Sequence, residues 1–398
     1  MSMRGLRSRR SRVAEHVLRI PRSGIRDFFD IVSQRQDVIS LSIGEPDFDA
    51  PWHVREAAIF ALEKGATHYT SNRGLLRLRE AVSRYVERNF ALQYDPETEI
   101  LVTVGVSEAV DLALRAILSP GDEVIYHEPA YVSYAPLTAI AHGRPRPVVT
   151  RMEDEFRLRP EAIRRQLSER TQALLLNFPN NPTGAELSAD DLRGIARVAE
   201  EEDLIVITDE IYAELTYDQA HTTIASLPGM KQRAIFLHGF SKGWAMTGFR
   251  IGYACGPAEL IEAMMKIHQY SMLCAPVLAQ EAAIGALLDG LDDVEQMRNE
   301  YRRRRNFLLR SFAQMGLRCV VPRGAFYSFP YVGELGLSSR DFALRLLEEE
   351  SVAVVPGTAF GTCGEGFVRC AFATAMEEIE EATERMGAFV ARYRKAGA

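Results

Sequence analysis

Of the 47 basic residues in this 398-residue chain only five are lysines, at positions 64, 231, 242, 266 and 395, so the remaining 42 are arginines. Lys242 stands inside a Gly-rich, apolar stretch, LHGFSKGWAMTGFRIGYACG (residues 237–256), with Arg250 eight positions later. A lysine kept there suggests chemistry that needs a deprotonatable primary amine, which a guanidinium cannot supply.

Other residues with chemical potential fall at comparable places. They are Gly105-Val106-Ser107, Glu128-Pro129-Ala130-Tyr131, the run NFPNNPTG at 177–184, Asp209 with Tyr212 three positions on, Ser241-Lys242, and Arg250. Each ends or follows a short apolar run. The candidate strands are EILVTVG (99–105), DEVIYHEP (122–129), RPVVT (146–150), QALLLNFP (172–179), LIVITDE (204–210), AIFLHGF (234–240) and RIGYACG (250–256). Helical-period segments alternate with them, and in SADDLRGIARVAEEE Ser188 with Asp190 and Asp191 makes an N-terminal signature. Alternation of this kind predicts a mostly parallel sheet covered by helices, and ligands collect at the carboxyl ends of such strands.

Taken alone, each candidate has an ordinary reading. Asp209 would cap a helix, Asn181-Pro182-Thr183-Gly184 is a turn, Gly105-Val106-Ser107 starts a helix for steric reasons, and Tyr131 and Tyr212 are half-buried core tyrosines. Their order on successive strand ends is what carries weight. A pyridine aldehyde with a phosphate tail would use the whole set. It needs a lysine for its Schiff base, a carboxylate opposite its ring nitrogen, backbone N–H groups and an arginine for its phosphate, donors for its phenolic oxygen and an aromatic face.

Outside the strand block the pattern changes. The stretch up to residue 49 and the stretch from residue 291 read as a second unit, with a long charged helix (291–316) and short strands near RCVVP, AFYSFP, VAVVPG and FVRCAFA. The arginines at 302–305 read as the solvated face of that helix, with a subunit contact as the alternative. The expected division is 1–49 for an N-terminal arm and part of a small domain, 50–290 for a large cofactor-binding domain, and 291–398 for the small C-terminal domain.

The bulk numbers set limits. A chain of this length exceeds what one core usually organises. A net charge of −7 with basic residues scattered along the chain leaves no footprint for nucleic acid. No apolar run reaches the length of a membrane span. Five widely spaced cysteines fit reduced thiols in a cytoplasmic protein, and the histidines form no HExxH-like pair, so no metal is expected. The opening MSMRGLRSRRSR, rich in Arg and Ser, reads as a short solvated tail rather than a targeting segment.

These residues resemble the class I/II pyridoxal-phosphate aminotransferases of fold type I, in the aspartate-aminotransferase-like branch. The resemblance covers nearly the whole chain, from about residue 23. Its elements are LSIGEPDF (41–48), HYTSNRGLLRLREAV (68–82), TVGVSEAVDLAL (103–114), EPAYVSY (128–134), NFPNNPTG, TDEIYAEL (208–215), SKGWAMTGFRIGY (241–253) and VRCAFA (368–373). It implies an α/β fold with a seven-stranded, mostly parallel sheet flanked by helices and a smaller α+β domain built from both chain ends.

The resemblance also implies roles. Lys242 would be the Schiff-base lysine and proton shuttle, and Asp209 the partner of the pyridine nitrogen. Asn181 and Tyr212 would bond the phenolic oxygen, and Tyr131 would stack on the ring. Arg250, Ser107 and the Val106 amide would hold the phosphate, joined by Ser241. Arg369 would grip the substrate α-carboxylate, assisted by Asn181 and the Gly44 backbone. Tyr69 would reach the phosphate site of a neighbouring subunit, implying a homodimer with shared sites. Gly239 departs from relatives that carry serine three residues before the lysine, and Ser241 would take up that part of the grip.

The implied reaction moves an amino group from an L-amino acid, aspartate or an aromatic or other broad-range donor, to a 2-oxo acid such as 2-oxoglutarate. The alternatives are a carbon–sulfur β-lyase of the same fold and, more remotely, a ligand-sensing regulator. A dicarboxylate donor needs a further cation in the side-chain pocket. Arg22, Arg26, Arg73 and Arg323 are available, and Arg73 is the favoured one to approach a neighbouring subunit's pocket.

Overall fold

The computed structural model describes residues 12–18, 20–22, 24–25, 31–32, 35 and 37–396. The Arg-rich start through residue 11 and the candidate Arg26 lie outside the described residues.

A two-residue strand, β1 (Ile39–Ser40), precedes the main sheet. The sheet itself holds β2 (Ile100–Thr103), β3 (Glu123–Glu128), β4 (Arg144–Val149), β5 (Thr171–Asn177), β6 (Ile205–Asp209), β7 (Ala234–Gly239) and β8 (Gly252–Cys255). Its order is β2-β8-β7-β6-β5-β3-β4, with β8 antiparallel to both neighbours and every other pairing parallel. All seven strands read from the sequence are therefore present, each within two residues of its expected start.

β2, β7 and β8 are buried at every position, as expected for strands covered on both faces. One core lies between the sheet and the helices on one face, and carries Leu101, Leu175, Ile207 and Leu237. Two others back the opposite face, through Phe236 and Tyr253 and through Leu174 and Val206. The Ala189–Glu201 helix begins with a complete capping box. Asp191 N–H donates to Ser188 Oγ at 3.1 Å and Ser188 N–H donates to Asp191 Oδ2 at 3.2 Å. A cap of this kind contributes about 1 kcal/mol.

The chain ends meet. β1 pairs in parallel with β10 (Val352–Ala353), while β9 (Tyr327–Ser328), β11 (Val355–Pro356) and β12 (Val368–Ala371) form a small antiparallel sheet in the order β11-β12-β9. RCVVP is not a strand. Only Arg318 makes an isolated bridge there, to Tyr331.

The long helix spans Leu291–Met315, and its arginines correct the sequence reading. Arg302 and Arg303 are solvated, but Arg304 and Arg305 are only 5 % exposed. Arg304 Nη1 reaches Asp47 at 2.8 Å, with its guanidinium over Phe48, and Arg305 Nη1 reaches Asp218 at 2.8 Å and the Pro322 carbonyl at 3.0 Å. A 3.6-residue period carries consecutive residues to different faces, so a four-arginine run cannot lie on one side. Two of the four tie the helix to loops leading toward the pocket.

Candidate active site

At the carboxyl ends of the central strands lies a pocket of about 940 Å³. Gly44, Val106, Ser107, Tyr131, Asn181, Asp209, Tyr212, Ser241, Lys242, Arg250 and Arg369 all line it. Tyr69 does not. It is 83 % exposed on the surface of its own chain.

Asp209 ends β6 and is in register with Asn177, the last residue of β5. Asn177 Nδ2 donates to the Asp209 carbonyl at 2.9 Å, while its Oδ1 accepts from the Asn181 N–H at 3.2 Å. The Asp209 carboxylate is buried, which pushes its pKa up to about 6, against a hydrogen bond from Tyr134 at 2.8 Å that pulls it down. A turn follows β6, so Asp209 caps no helix.

Lys242 follows β7. Its Nζ donates to the Gly44 carbonyl at 2.6 Å. Burial brings its pKa down to about 8; Arg369 and Arg250 act in the same sense, and Glu45 and Asp209 oppose them. The shift costs the charged form of order 3 kcal/mol. A useful fraction of the amine is therefore neutral near pH 7.

The Gly105–Ile117 helix points its N-terminus at the same pocket, offering unpaired backbone N–H groups. Glycines make that approach possible. A Cβ on Gly252 would lie 2.9 Å from Val106 N, and one on Gly105, whose φ is +74°, would lie 2.8 Å from Arg250 Nη2. Gly239 is cross-strand from Gly252, and a Cβ there would come within 2.9 Å of the Gly252 Cα. The missing serine at 239 therefore has a packing cause.

Arg369, on β12, is fully withdrawn from water. Its Nη1 donates to Asn181 Oδ1 at 3.0 Å and its Nη2 to the Ser42 carbonyl at 2.7 Å, while its Nε has no hydrogen-bond partner among the described residues. Its guanidinium lies 4.4 Å from the centre of the Tyr327 ring. Tyr327 Oη is also 2.9 Å from Tyr212 Oη, and a Cβ on Gly44 would collide with it at 2.6 Å.

Three residues of this constellation escaped the sequence reading. Tyr134 sits three positions after Tyr131 in a quoted motif, and Asn177 opens another, so the paired strand ends were a usable signal for Asn177. Tyr327 arrives 115 residues after the tyrosine it touches, and no local pattern announces it. Of the three arginines weighed for a distal carboxylate that lie within the described residues, Arg22 lines the pocket and the other two do not. Arg73 is bound to Glu262 and to the Thr98 carbonyl of its own chain, and Arg323 pairs with Glu155 elsewhere. Among the described residues no group of His, Cys, Asp and Glu is arranged to hold a metal, and no helix is long and apolar enough to cross a membrane.

Comparison with known proteins gives the family. The profile of the family described as aminotransferase class I and II matches residues 36–386. An aspartate aminotransferase of Pyrococcus abyssi is 47% identical, over 92% of this chain and 94% of its own. An aromatic-amino-acid aminotransferase of Thermococcus litoralis is 45% identical, with the same coverage of 92% and 94%. The structure of an aspartate aminotransferase from Thermus thermophilus with maleate superposes with a TM-score of 0.90 at 39% identity, over 94% of this chain and 98% of that one. The chain belongs to the class I and II aminotransferase family, and its reaction is the transfer of an amino group.

Proposed function

We propose that the chain binds pyridoxal 5′-phosphate in the 940 Å³ pocket and moves an amino group from an L-amino acid to a 2-oxo acid such as 2-oxoglutarate. The observation that carries this reading is the convergence of a lysine amine with a pKa of about 8, a buried carboxylate, a helix N-terminus with an arginine, and a second buried arginine on one pocket.

The residues fit the group. Asp209, buried with no cationic partner among the described residues, would gain one in a pyridinium nitrogen. Ser107, Ser241, Arg250 and the Val106 amide would take the phosphate at a cradle kept open by Gly105 and Gly252. Asn181 and Tyr212 would donate to the phenolic oxygen, and Tyr131 would cover the ring. Bound there, the cofactor supplies an aldehyde that takes up the amino group and a ring that accepts the electron pair left behind by the α-proton.

The chain's own part is positioning and proton transfer. Arg369 holds the substrate α-carboxylate, with Asn181 and the Gly44 backbone beside it, so that the α-hydrogen faces Lys242. Lys242 Nζ takes that proton and returns it, and Gly44 O accepts a hydrogen bond from the amine when it is free. Arg22, which has no ion-pair partner among the described residues, is the cation we assign to a distal carboxylate, which favours dicarboxylic donors.

Two copies would complete the sites. Tyr69 and Tyr270, 83 % and 89 % exposed, with Trp52 and Phe60, leave large apolar side chains on the surface of one chain, and Tyr69 would serve the partner's phosphate site. The parallel pairing of β1 with β10 supports a small domain assembled from both ends around the 50–290 unit. We place the protein in the cytoplasm, in keeping with its five free cysteines.

The test is turnover of an amino-donor panel with 2-oxoglutarate by the protein saturated with pyridoxal phosphate. Lys242→Ala and Lys242→Arg are expected to abolish it together with the borohydride-bleachable yellow absorbance. Wild-type activity in either variant overturns the assignment.

A further inference from the structure

Two turns on neighbouring strands carry groups that line the pocket. β6 leads into the turn at 211–214, which holds Tyr212, and β7, paired with it in parallel, leads into the turn at 241–244, which holds Lys242. Successive side chains of a strand alternate between faces. Leu237 therefore packs in one core, while Phe236 and the His238 ring stacked on it lie on the opposite face of β7.

On that face Glu214, the last residue of the first turn, reaches across to the second. Its Oε1 accepts from Tyr85 Oη at 2.5 Å and lies 2.9 Å from His238 Nε2, an ion-pair distance without the alignment of a hydrogen bond. The other ring nitrogen, Nδ1, accepts from the Gly239 N–H at 2.7 Å. Glu214 Oε2 has no hydrogen-bond partner among the described residues and is turned toward Gly243. A Cβ on Gly243 would lie 3.0 Å from Oε2 and 3.4 Å from both Cβ and Cγ of Glu214. The Glu214 side chain thus runs along the residue next to Lys242.

Tyr85, Glu214 and His238 are buried, and none of them lines the pocket. The His238 ring is stacked with Phe236 at 5.6 Å and with Tyr253 at 5.5 Å, and Tyr85 meets Trp244 edge-on at 5.6 Å. Trp244 donates its indole N–H to the Ala286 carbonyl at 3.0 Å, which fixes the far end of the Lys242 turn. Rings packed this closely leave the Glu214 carboxylate one place to stand.

We propose that Glu214, held by His238 and Tyr85, is a positioning residue for Lys242, bracing the 241–244 turn against the 211–214 turn. Burying a carboxylate costs stability that an apolar side chain of the same size would not. What this one adds is a link between the turn that bears the amine and the turn that bears Tyr212. A lysine stem is long and freely rotating, so where its amine reaches depends on how firmly its backbone is held. Misplacing a reacting group by about 1 Å can cost about a hundredfold in rate. The proposal rests on the aminotransferase reading for the use made of the amine, not for its placement.

The test joins two measurements on Glu214→Ala and on His238→Phe, the second of which keeps a ring between Phe236 and Tyr253 and removes only the polar contacts. In the cofactor-saturated full chain kcat is expected to fall at least tenfold in Glu214→Ala and at least threefold in His238→Phe, with KM for the amino donor within threefold because Arg369 is untouched. In the cofactor-free protein the midpoint of Lys242 labelling by an amine-directed reagent is expected to rise from about 8 by about one pH unit, as a loosened turn lets the amine reach water. If Glu214→Ala does not fold, His238→Phe decides by the same criteria. A wild-type labelling midpoint in the folded variants overturns the proposal whatever their thermal stability, and so does a loss of turnover carried by KM alone. A raised midpoint in variants of a chain that shows no turnover even as wild type supports the positioning role and overturns the catalytic assignment instead.

Discussion

Tyr134 donates its hydroxyl to Asp209 Oδ2 at 2.8 Å from the first turn of the Tyr134–Ile140 helix, and both groups are buried. The bond favours the ionised carboxylate that burial disfavours. A hydrogen bond to a charged group is worth about 1.5–3 kcal/mol, so Tyr134→Phe should weaken cofactor retention roughly ten- to a hundredfold in equilibrium dialysis. The cofactor-free protein carries a second signature. Because the folded state holds the Asp209 proton to about pH 6, against 3.8 ordinarily, this group makes stability fall as pH rises through that window. Denaturant titrations of cofactor-free Asp209→Asn should lack that fall.

Lys242 has the opposite sign. Its amine loses its proton near pH 8 in the folded protein instead of 10.5, so the buried charge weakens the fold below pH 8 and the penalty disappears as pH rises toward 10.5. In cofactor-free protein, reaction with an amine-directed reagent followed by peptide mapping should show Lys242 labelling with a midpoint near pH 8. A midpoint near 10.5 would remove the ground for its role as a base.

Among the described residues Arg369 makes two hydrogen bonds and its Nε finds no partner. A lysine ammonium has three donors and no planar fork, so it cannot grip both oxygens of a carboxylate while also serving Asn181 and Ser42. Arg369→Lys should lower kcat/KM for every amino donor by a hundredfold or more, since loss of a buried charged partner costs about 2–5 kcal/mol. Cofactor affinity, measured by absorbance titration, should stay within a few-fold of wild type.

Gly239 illustrates a constraint that only the assembled sheet reveals. A side chain there meets the backbone of Gly252 at 2.9 Å, in strands that cannot separate without breaking β7–β8 pairing. Gly239→Ser should cost about 1–3 kcal/mol, the range for overpacking a tight site, read as a lower thermal midpoint. Unchanged stability would show that β8 yields at this point.

The sheet was legible in the sequence because its strands are short, apolar and separated by helical segments, and local pattern decides such elements. That Asp209, Asn181 and Lys242 come together on one pocket was legible for the same reason, since each ends a strand or follows one. What stayed hidden depends on packing between distant segments. Tyr327 meets Tyr212 across the boundary with the small sheet, and Arg304 and Arg305 look like surface charges until Asp47 and Asp218 are brought to them. Composition names the charge of such residues but not the partner that buries them.

The proposed preference for dicarboxylic donors turns on Arg22. Four arginines were open as the cation for a distal carboxylate. Of the three within the described residues, Arg73 and Arg323 are committed to Glu262 and Glu155, and Arg22 alone lines the pocket without an ion pair. It is exposed at the pocket mouth, so its attraction for a carboxylate is screened and modest until substrate excludes water. Arg22→Ala is therefore expected to lower kcat/KM for aspartate and glutamate about tenfold while leaving phenylalanine and leucine within twofold. The loss for the acidic donors should shrink as salt rises, because a mouth-exposed charge acts through the solvent. Equal losses for acidic and apolar donors would instead mark Arg22 as a general part of the pocket wall and leave the donor class to residues that carry no charge.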